Sequence, residues 1–207
     1  MPKTDFTPEY DFGGLLIYKV VVGPVDNNVY VVRCKETGES VLIDAANEHD
    51  RLLQLATELG VTRVIETHGH WDHIGAVTQM REAGFEVMVS SEDAMMLPSY
   101  DLLLSHMEPI TFGRIRMTQI WTPGHTPGSF CFAPEGYPVL FTGDTLFPGG
   151  PGSTKFEGGD FPTIIRSIEN EIFSNFPDET LILPGHGTTS TLGDESPNLQ
   201  TWIDRGW

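Results

Sequence analysis

The segment Thr67-His68-Gly69-His70-Trp71-Asp72-His73 constrains what this chain can fold into more than any other stretch. Residues 62–67 read as a short strand leading into it. Ile74, Val77 and Met80 behind it mark a helix that Gly84 stops. Extended backbone alternates its side chains, so His68 and His70 face one side. Asp72 and His73 fall at the turn into the helix, where the chain can aim them elsewhere. Taken alone, Asp72 also reads as an N-cap for that helix. Four imidazole or carboxylate groups within six residues suit two adjacent divalent ions. Their chemistry favours zinc, iron or manganese over calcium or magnesium.

Three more potential ligands share one kind of setting. His125 stands in Pro123-Gly124-His125-Thr126-Pro127-Gly128 and His186 in Pro184-Gly185-His186-Gly187, both tight loops after strand-like runs. Asp144 ends the run Phe141-Thr142-Gly143-Asp144. Ligand-type residues thus recur at strand ends, where α/β architectures build sites on loops. His49 and His106 have no such company and read as ordinary surface or partly buried residues.

The flanking elements are those of a mixed α/β chain. Strand signals cover 14–22, 29–34, 40–44 and 86–90, then 114–121, 129–133, 137–142 and 180–183. Leu52, Leu55, Ala56 and Leu59 recur at helical spacing ahead of Gly60. Ile164, Ile165, Ile168, Ile172 and Phe173 form a helical stripe behind Asp160, an N-cap. Residues 92–109 read as a helix and a loop, and 199–203 as a short terminal helix. There is a weak internal echo: a hairpin ending in Asp44 resembles one ending in Asp144. It suggests two similar halves about a pseudo-twofold, with a site at their junction. The 207 residues fit one domain, 1–207.

Charge narrows the function classes. Lys plus Arg number 12 and Asp plus Glu 29, a net charge of −17. Such a chain repels phosphate backbones and anionic lipid, so the expected partner is a small molecule, not nucleic acid or a membrane. A metal pair would supply a local positive centre able to draw an anionic substrate. Residues 1–9 contain no apolar leader core, and the run 15–22, broken by Lys19, is too short to span a bilayer. Cys34 and Cys131, far apart in strand-like surroundings, are expected as two buried thiols, and the expected compartment is the cytoplasm.

The order His68-x-His70-x-Asp72-His73, His125, Asp144, His186 resembles the metallo-β-lactamase-fold superfamily over residues 14–190. The wording Thr-Pro-Gly-His-Thr-Pro-Gly-Ser and Thr-Gly-Asp-Thr-Leu-Phe looks most like its glyoxalase II (hydroxyacylglutathione hydrolase) branch. The resemblance implies a four-layer αβ/βα sandwich. It implies that His68, His70 and His125 hold one metal, that Asp72, His73 and His186 hold a second, and that Asp144 bridges them. Asp44 matches a family aspartate that supports the site from behind, where a carboxylate can fix a histidine's tautomer.

Two divalent ions, zinc first with iron or manganese as alternatives, would lower the pKa of a shared water and make a bridging hydroxide near neutral pH. Asp72 and Asp144 would orient that water and hold its proton during attack on a thioester or related ester. No Gly-x-Ser-x-Gly nucleophile signature is present. Thr154-Lys155-Phe156-Glu157-Gly158 stands where glyoxalase II usually reads Lys-Phe-Tyr-Glu-Gly, with the lysine displaced by one and the tyrosine missing. Lys155 and Phe156 are the expected substrate contacts, Lys155 to a substrate carboxylate. The alternatives are a mononuclear-iron persulfide dioxygenase, a lactonase, or a non-catalytic metal-binding module. The dioxygenase branch usually reads Gly-Arg-Thr-Asp-Phe where this chain has Gly152-Ser153-Thr154-Lys155-Phe156.

Overall fold

The computed structural model describes residues 6–206. The first five residues of the leader-free reading over 1–9 lie outside the described residues. The first half forms β1 (Tyr10–Asp11), β2 (Leu15–Val22), β3 (Asn27–Cys34), β4 (Ser40–Ile43), α1 (His49–Leu59), β5 (Val61–Ile65), α2 (Val77–Glu82), β6 (Glu86–Val89) and β7 (Leu102–Leu103). These strands make one sheet in chain order, β1-β2-β3-β4-β5-β6-β7, antiparallel as far as β4 and parallel from β4 to β7.

The second half forms β8 (Pro109–Phe112), β9 (Ile115–Trp121), β10 (Phe130–Pro134), β11 (Val139–Gly143), β12 (Leu146–Phe147), β13 (Gly150–Pro151), α3 (Phe161–Ser167), β14 (Leu181–Pro184), β15 (Ser190–Thr191), α4 (Leu192–Glu195) and α5 (Leu199–Arg205). The second sheet runs β15-β14-β11-β10-β9-β8, and β12 and β13 pair as a small ribbon.

Why the sheets stack face to face is written along single strands. Every residue of β3 is buried. Tyr30 and Val32 point between the sheets, among Ile17, Ile43, Phe132 and Phe141. Val29 and Val31 point the other way, onto Leu52, Leu55 and Leu59 of α1 and Val77 and Met80 of α2. In β10, Phe130 and Phe132 join the inter-sheet core, while Cys131 and Ala133 meet Ile164, Ile165 and Ile168 of the α3 stripe and Trp202 of α5. Strands buried on both faces read as continuous apolar runs, which is how these segments look in the sequence. The outcome is the αβ/βα sandwich: helices, sheet, sheet, helices.

The internal echo is real at the level of topology. β3 and β4 form an antiparallel hairpin, α1 crosses over, and β5 returns parallel to β4. Likewise β10 and β11 form an antiparallel hairpin, α3 crosses over, and β14 returns parallel to β11. Both cysteines are buried and unpaired. Gly60 ends α1 with a φ of 73°, a left-handed cap that favours glycine. Among the described residues no helix is long and apolar enough to cross a membrane.

Three expectations need correction. The helix after the histidine motif starts at Val77, with Ile74 buried in the preceding turn, so Asp72 caps no helix. Residues 92–109 contain a single 3₁₀ turn, Ala94–Met96, then the two-residue β7; the strand β8 that follows was not anticipated. β8 is short and opens on proline, so its alternation of Ile110 and Phe112 inward is too brief to stand out. The α3 stripe loosens into a π-helical stretch, Ile168–Phe173, where the Ser174 N–H donates to the Glu169 carbonyl.

Phe141 is fully buried between the sheets, its ring 5.3 Å from that of Tyr30. Phe141→Ala is therefore expected to destabilise the fold by about 3–5 kcal/mol in urea unfolding. Trp71→Ala, at a 67% exposed position, is expected to change it by less than about 0.5 kcal/mol. Equal effects would contradict this packing.

Candidate metal centre

Five loops meet at one end of the sandwich, each leaving the C-terminal end of a strand. Asp44 follows β4, the stretch His68–His73 follows β5, His125 follows β9, Asp144 follows β11 and His186 follows β14. Open α/β sheets place their crevices outside the carboxyl ends of parallel strands, and here two such crevices face each other. Backbone bonds lock the loops across the sheets. The Phe130 N–H donates to the Thr67 carbonyl at 2.8 Å, and the Asn28 N–H donates to the Gly185 carbonyl at 2.7 Å.

The seven side chains read from the sequence converge into three overlapping groups whose ligating atoms lie within 4.8 Å of one another. In the first, His68 Nε2, His70 Nδ1 and His125 Nε2 form a triangle with edges of 2.9, 3.1 and 3.2 Å. In another, His73 Nε2, His186 Nε2 and Asp72 Oδ2 stand 3.3, 3.3 and 3.6 Å apart. Nitrogen ligands of a tetrahedral zinc stand about 3.3 Å apart, so both triangles have the size such an ion needs. Asp144 touches both: its Oδ2 is 3.5 Å from His125 Nε2 and 3.8 Å from His186 Nε2, and its Oδ1 is 3.5 Å from His73 Nε2. Asp144 Oδ1 is buried and has no hydrogen-bond partner. A buried carboxylate oxygen with nothing to accept from is costly unless a cation meets it.

The outer nitrogens settle the tautomers. His125 Nδ1 donates to the Ser153 carbonyl at 2.7 Å, and His186 Nδ1 donates to the Val25 carbonyl at 3.0 Å. His73 Nδ1 donates to Asp44 Oδ2 at 2.8 Å. His68 Nδ1 donates to Thr67 Oγ1 at 3.0 Å, and that hydroxyl donates to Asp44 Oδ2 at 2.9 Å. With Nδ1 bonded outward, four imidazoles turn their Nε2 atoms toward the cluster, where loss of any proton on Nε2 frees a lone pair for a metal. A Cβ on residue 185 would collide with Asp144 Oδ1 and the His73 ring, so the Pro-Gly-His wording there answers to close approach.

The charges point the same way. Burial first, then the neighbouring imidazoles, pushes the His68 pKa well down; burial likewise lowers His70 and His125. The first triangle is thus neutral, the state that ligates. Burial also works against a proton on His73, but Asp144, Asp44 and Asp72 outweigh it and raise its pKa to about 10. Burial opposes the charged form of His186 too, and the bond to Asp72 and the charge of Asp144 raise it. Asp72 is held below the usual carboxylate range: burial works against ionisation, but His186, His73 and Asn27 prevail. An ion-free cluster therefore recruits protons to balance its carboxylates, which is the demand a metal cation meets.

Several supporting residues had no sequence signal. Asp93 is fully buried and ties two loops together: Oδ2 accepts from the Gly69 N–H at 2.9 Å and the Thr126 hydroxyl at 2.7 Å, and Oδ1 accepts from the Gly128 N–H at 2.9 Å. Asn27 Nδ2 donates to Asp72 Oδ2 at 3.1 Å. Glu66, also fully buried, accepts from the Ala45 N–H at 3.2 Å; burial, then the charge of Asp44, pushes its pKa well up. Nothing local distinguishes such residues from any other aspartate, asparagine or glutamate. His49 and His106 stand apart from the cluster and are exposed.

Over the cluster opens a cavity of about 490 Å³, lined by ligand side chains together with Val25, Trp71, Met96, Phe156 and Glu157. Phe156 therefore lies where a substrate contact was expected, with its ring 5.3 Å from that of His70. Lys155 is exposed and is not among the lining residues. A wider cleft, about 890 Å³, between Tyr137 and Phe176 holds none of the seven ligand candidates.

A four-layer sandwich with this histidine–aspartate cluster at its strand ends defines the class. The chain belongs to the metallo-beta-lactamase superfamily, whose family model matches residues 22–186. That family consists mostly of metal-dependent enzymes. The chain is 33% identical over 178 residues to hydroxyacylglutathione hydrolase GloC of Haemophilus influenzae, covering 75% of this chain and 84% of that one. It is 34% identical over 175 residues to the mitochondrial persulfide dioxygenase ETHE1 of Homo sapiens, covering 80% and 67%. Of solved structures, TTHA1623 in a di-iron-bound form superposes with a TM-score of 0.76 at 31% identity, covering 86% of this chain and 96% of that one.

Two outcomes are expected. Both His73 and His186 carry raised pKa values, so metal uptake displaces their protons and strengthens as pH rises toward about 10, the His73 value. Calorimetry in buffers of different ionisation enthalpy checks this, and uptake without proton release would contradict it. Asp93→Ala leaves three donors unmet, and is expected to cost about 3–5 kcal/mol in unfolding and to weaken metal binding about 10–100-fold.

Proposed function

We propose that this protein is a cytoplasmic metal-dependent hydrolase that cleaves a small-molecule thioester or a related carboxylic ester, with two divalent ions, zinc first, as its cofactors. One observation carries the reading: Asp144 reaches both ligand triangles, so the seven side chains form a single cage with room for a pair of ions. Similarity to hydroxyacylglutathione hydrolase GloC supports a hydrolytic reaction. Such ions, when bound, would supply Lewis acidity toward a water and a carbonyl oxygen.

The chain's own residues provide the rest. His68, His70 and His125 would hold one ion and Asp72, His73 and His186 the other, with Asp144 placed to serve both. Asp72 and Asp144 orient the attacking water and accept its proton, with Asp72 Oδ2 fixed for that task by the Asn27 amide. Asp44 keeps His73, and through Thr67 also His68, turned toward the ions. A thiolate, whose parent thiol has a pKa of about 8.5, departs with little help from an acid. Neither cysteine is the nucleophile: both are buried away from the cavity, and burial raises the Cys131 thiol to about 11. Phe156 contacts the substrate, and Lys155, on the same loop, meets only groups that extend outside the cavity.

Similarity to persulfide dioxygenase ETHE1 supports a second reading, a mononuclear-iron sulfur dioxygenase. Turnover of S-lactoylglutathione and simpler thioesters or lactones by zinc-loaded protein is the expected result. Oxygen uptake with glutathione persulfide, one iron per chain and no hydrolysis of any ester would favour the dioxygenase instead. Asp144→Ala is expected to lose at least one ion and all measurable turnover, because both ligand groups lose their shared anion. Full activity in that variant, with metal content measured alongside, would contradict the bridging role.

A further inference from the structure

The walls of the ligand cavity differ sharply from its floor. Four large apolar side chains stand exposed around the cluster: Trp71 at 67%, Phe156 at 60%, Val25 at 43% and Met96 at 40%. Exposed apolar groups gathered around a polar floor mark a binding surface. The one ionisable lining residue that is not a candidate ligand is Glu157, an acid. Among the described residues no lysine or arginine lines the cavity. Lys19 lies on the His186 side but donates to the Gly187 carbonyl at 3.1 Å.

Two dications at the floor would meet the three carboxylates Asp44, Asp72 and Asp144, leaving about one net positive charge, and that charge would lie beneath the mouth of a chain that carries −17 overall. A substrate arm reaching past the ions meets tryptophan, phenylalanine, methionine and glutamate. A carboxylate held within the cavity loses water and gains no lysine or arginine partner, since Lys155 lies outside the lining and meets only groups that extend beyond it.

Resting on the hydrolase reading above, we propose that the site takes an uncharged ester or thioester with an apolar or aromatic body, and selects against thiols that carry carboxylates, such as glutathione. Trp71, Phe156, Val25 and Met96 hold the apolar body, and Glu157 repels anionic arms. This reverses the expectation that a positive pocket draws an anionic substrate: the positive charge lies beneath an apolar and acidic collar.

The test uses two thioethers that cannot be hydrolysed and share one alkyl group, so it does not depend on turnover. S-hexyl-N-acetylcysteamine is uncharged, whereas S-hexylglutathione carries two carboxylates. Binding of each to zinc-loaded full-length protein is measured by calorimetry at physiological ionic strength. The uncharged ligand is expected to bind about tenfold or more tightly than its glutathione counterpart. Trp71→Ala and Phe156→Ala should each weaken it about fivefold, with metal content verified. Glu157→Lys should narrow the gap by strengthening S-hexylglutathione at least about threefold. Tighter binding of S-hexylglutathione by the wild-type protein, or binding of neither ligand up to millimolar concentration, overturns the proposal. Absence of ester hydrolysis with the expected binding order would instead count against the hydrolase reading alone.

Discussion

The carboxylate of Asp44 is the point on which the site depends. Its backbone sits in the left-handed region at a φ of 64°, a conformation that costs a non-glycine residue about 1–3 kcal/mol and persists only when the surroundings over-determine it. They do. Oδ1 accepts from the Thr67 N–H at 2.7 Å, and Oδ2 takes both the Thr67 hydroxyl and His73 Nδ1. One side chain at the end of β4 thereby sets the backbone where the histidine motif begins. It also sets the tautomer of His73 directly and that of His68 through one hydroxyl. The strain at Asp44 and the orientation of His68 and His73, the two most buried ligand candidates, are one arrangement seen from two ends.

From that anchor the site grows by attaching separate loops to one another. Asp93 ties the Gly69 turn to the loop behind His125, Asn27 ties β3 to Asp72, and the Val25 carbonyl ties the β2–β3 turn to His186. Each tie satisfies a buried polar group and, in doing so, leaves a ligating atom facing inward with no partner but its neighbours. The concentration of Asp44, Asp72 and Asp144 around His73 follows the same logic. Such a pocket is stable only when positive charge enters it, as protons or as metal.

Much of this was legible in the sequence because the informative signals are local. His125 and His186, each set among glycines and prolines after an apolar run, mark two loops at strand ends, and the His68–His73 segment and Asp144 mark two more, so the candidate ligands are placed without any knowledge of packing. The two-faced apolar runs of β3 and β10 likewise announce a sheet buried on both sides. The supporting residues were not legible: Asp93, Asn27 and Glu66 act on partners 20 or more positions away, and nothing beside them in the sequence hints at it. The loop 154–158 illustrates the limit well. Its resemblance to the glyoxalase II loop implies a contact loop, but only tertiary packing decides that Phe156 and Glu157 line the cavity while Lys155 does not. That single difference changes the expected substrate from an anion to a neutral molecule.

The account stands most directly on the cage itself. Crystals of the protein saturated with zinc or iron, measured by anomalous diffraction at the metal edge, are predicted to show two peaks per chain. One lies within the triangle of His68, His70 and His125, the other within that of Asp72, His73 and His186, with Asp144 between them. A saturated crystal with metal in one triangle only, or with the seven side chains turned away from any ion, would contradict it.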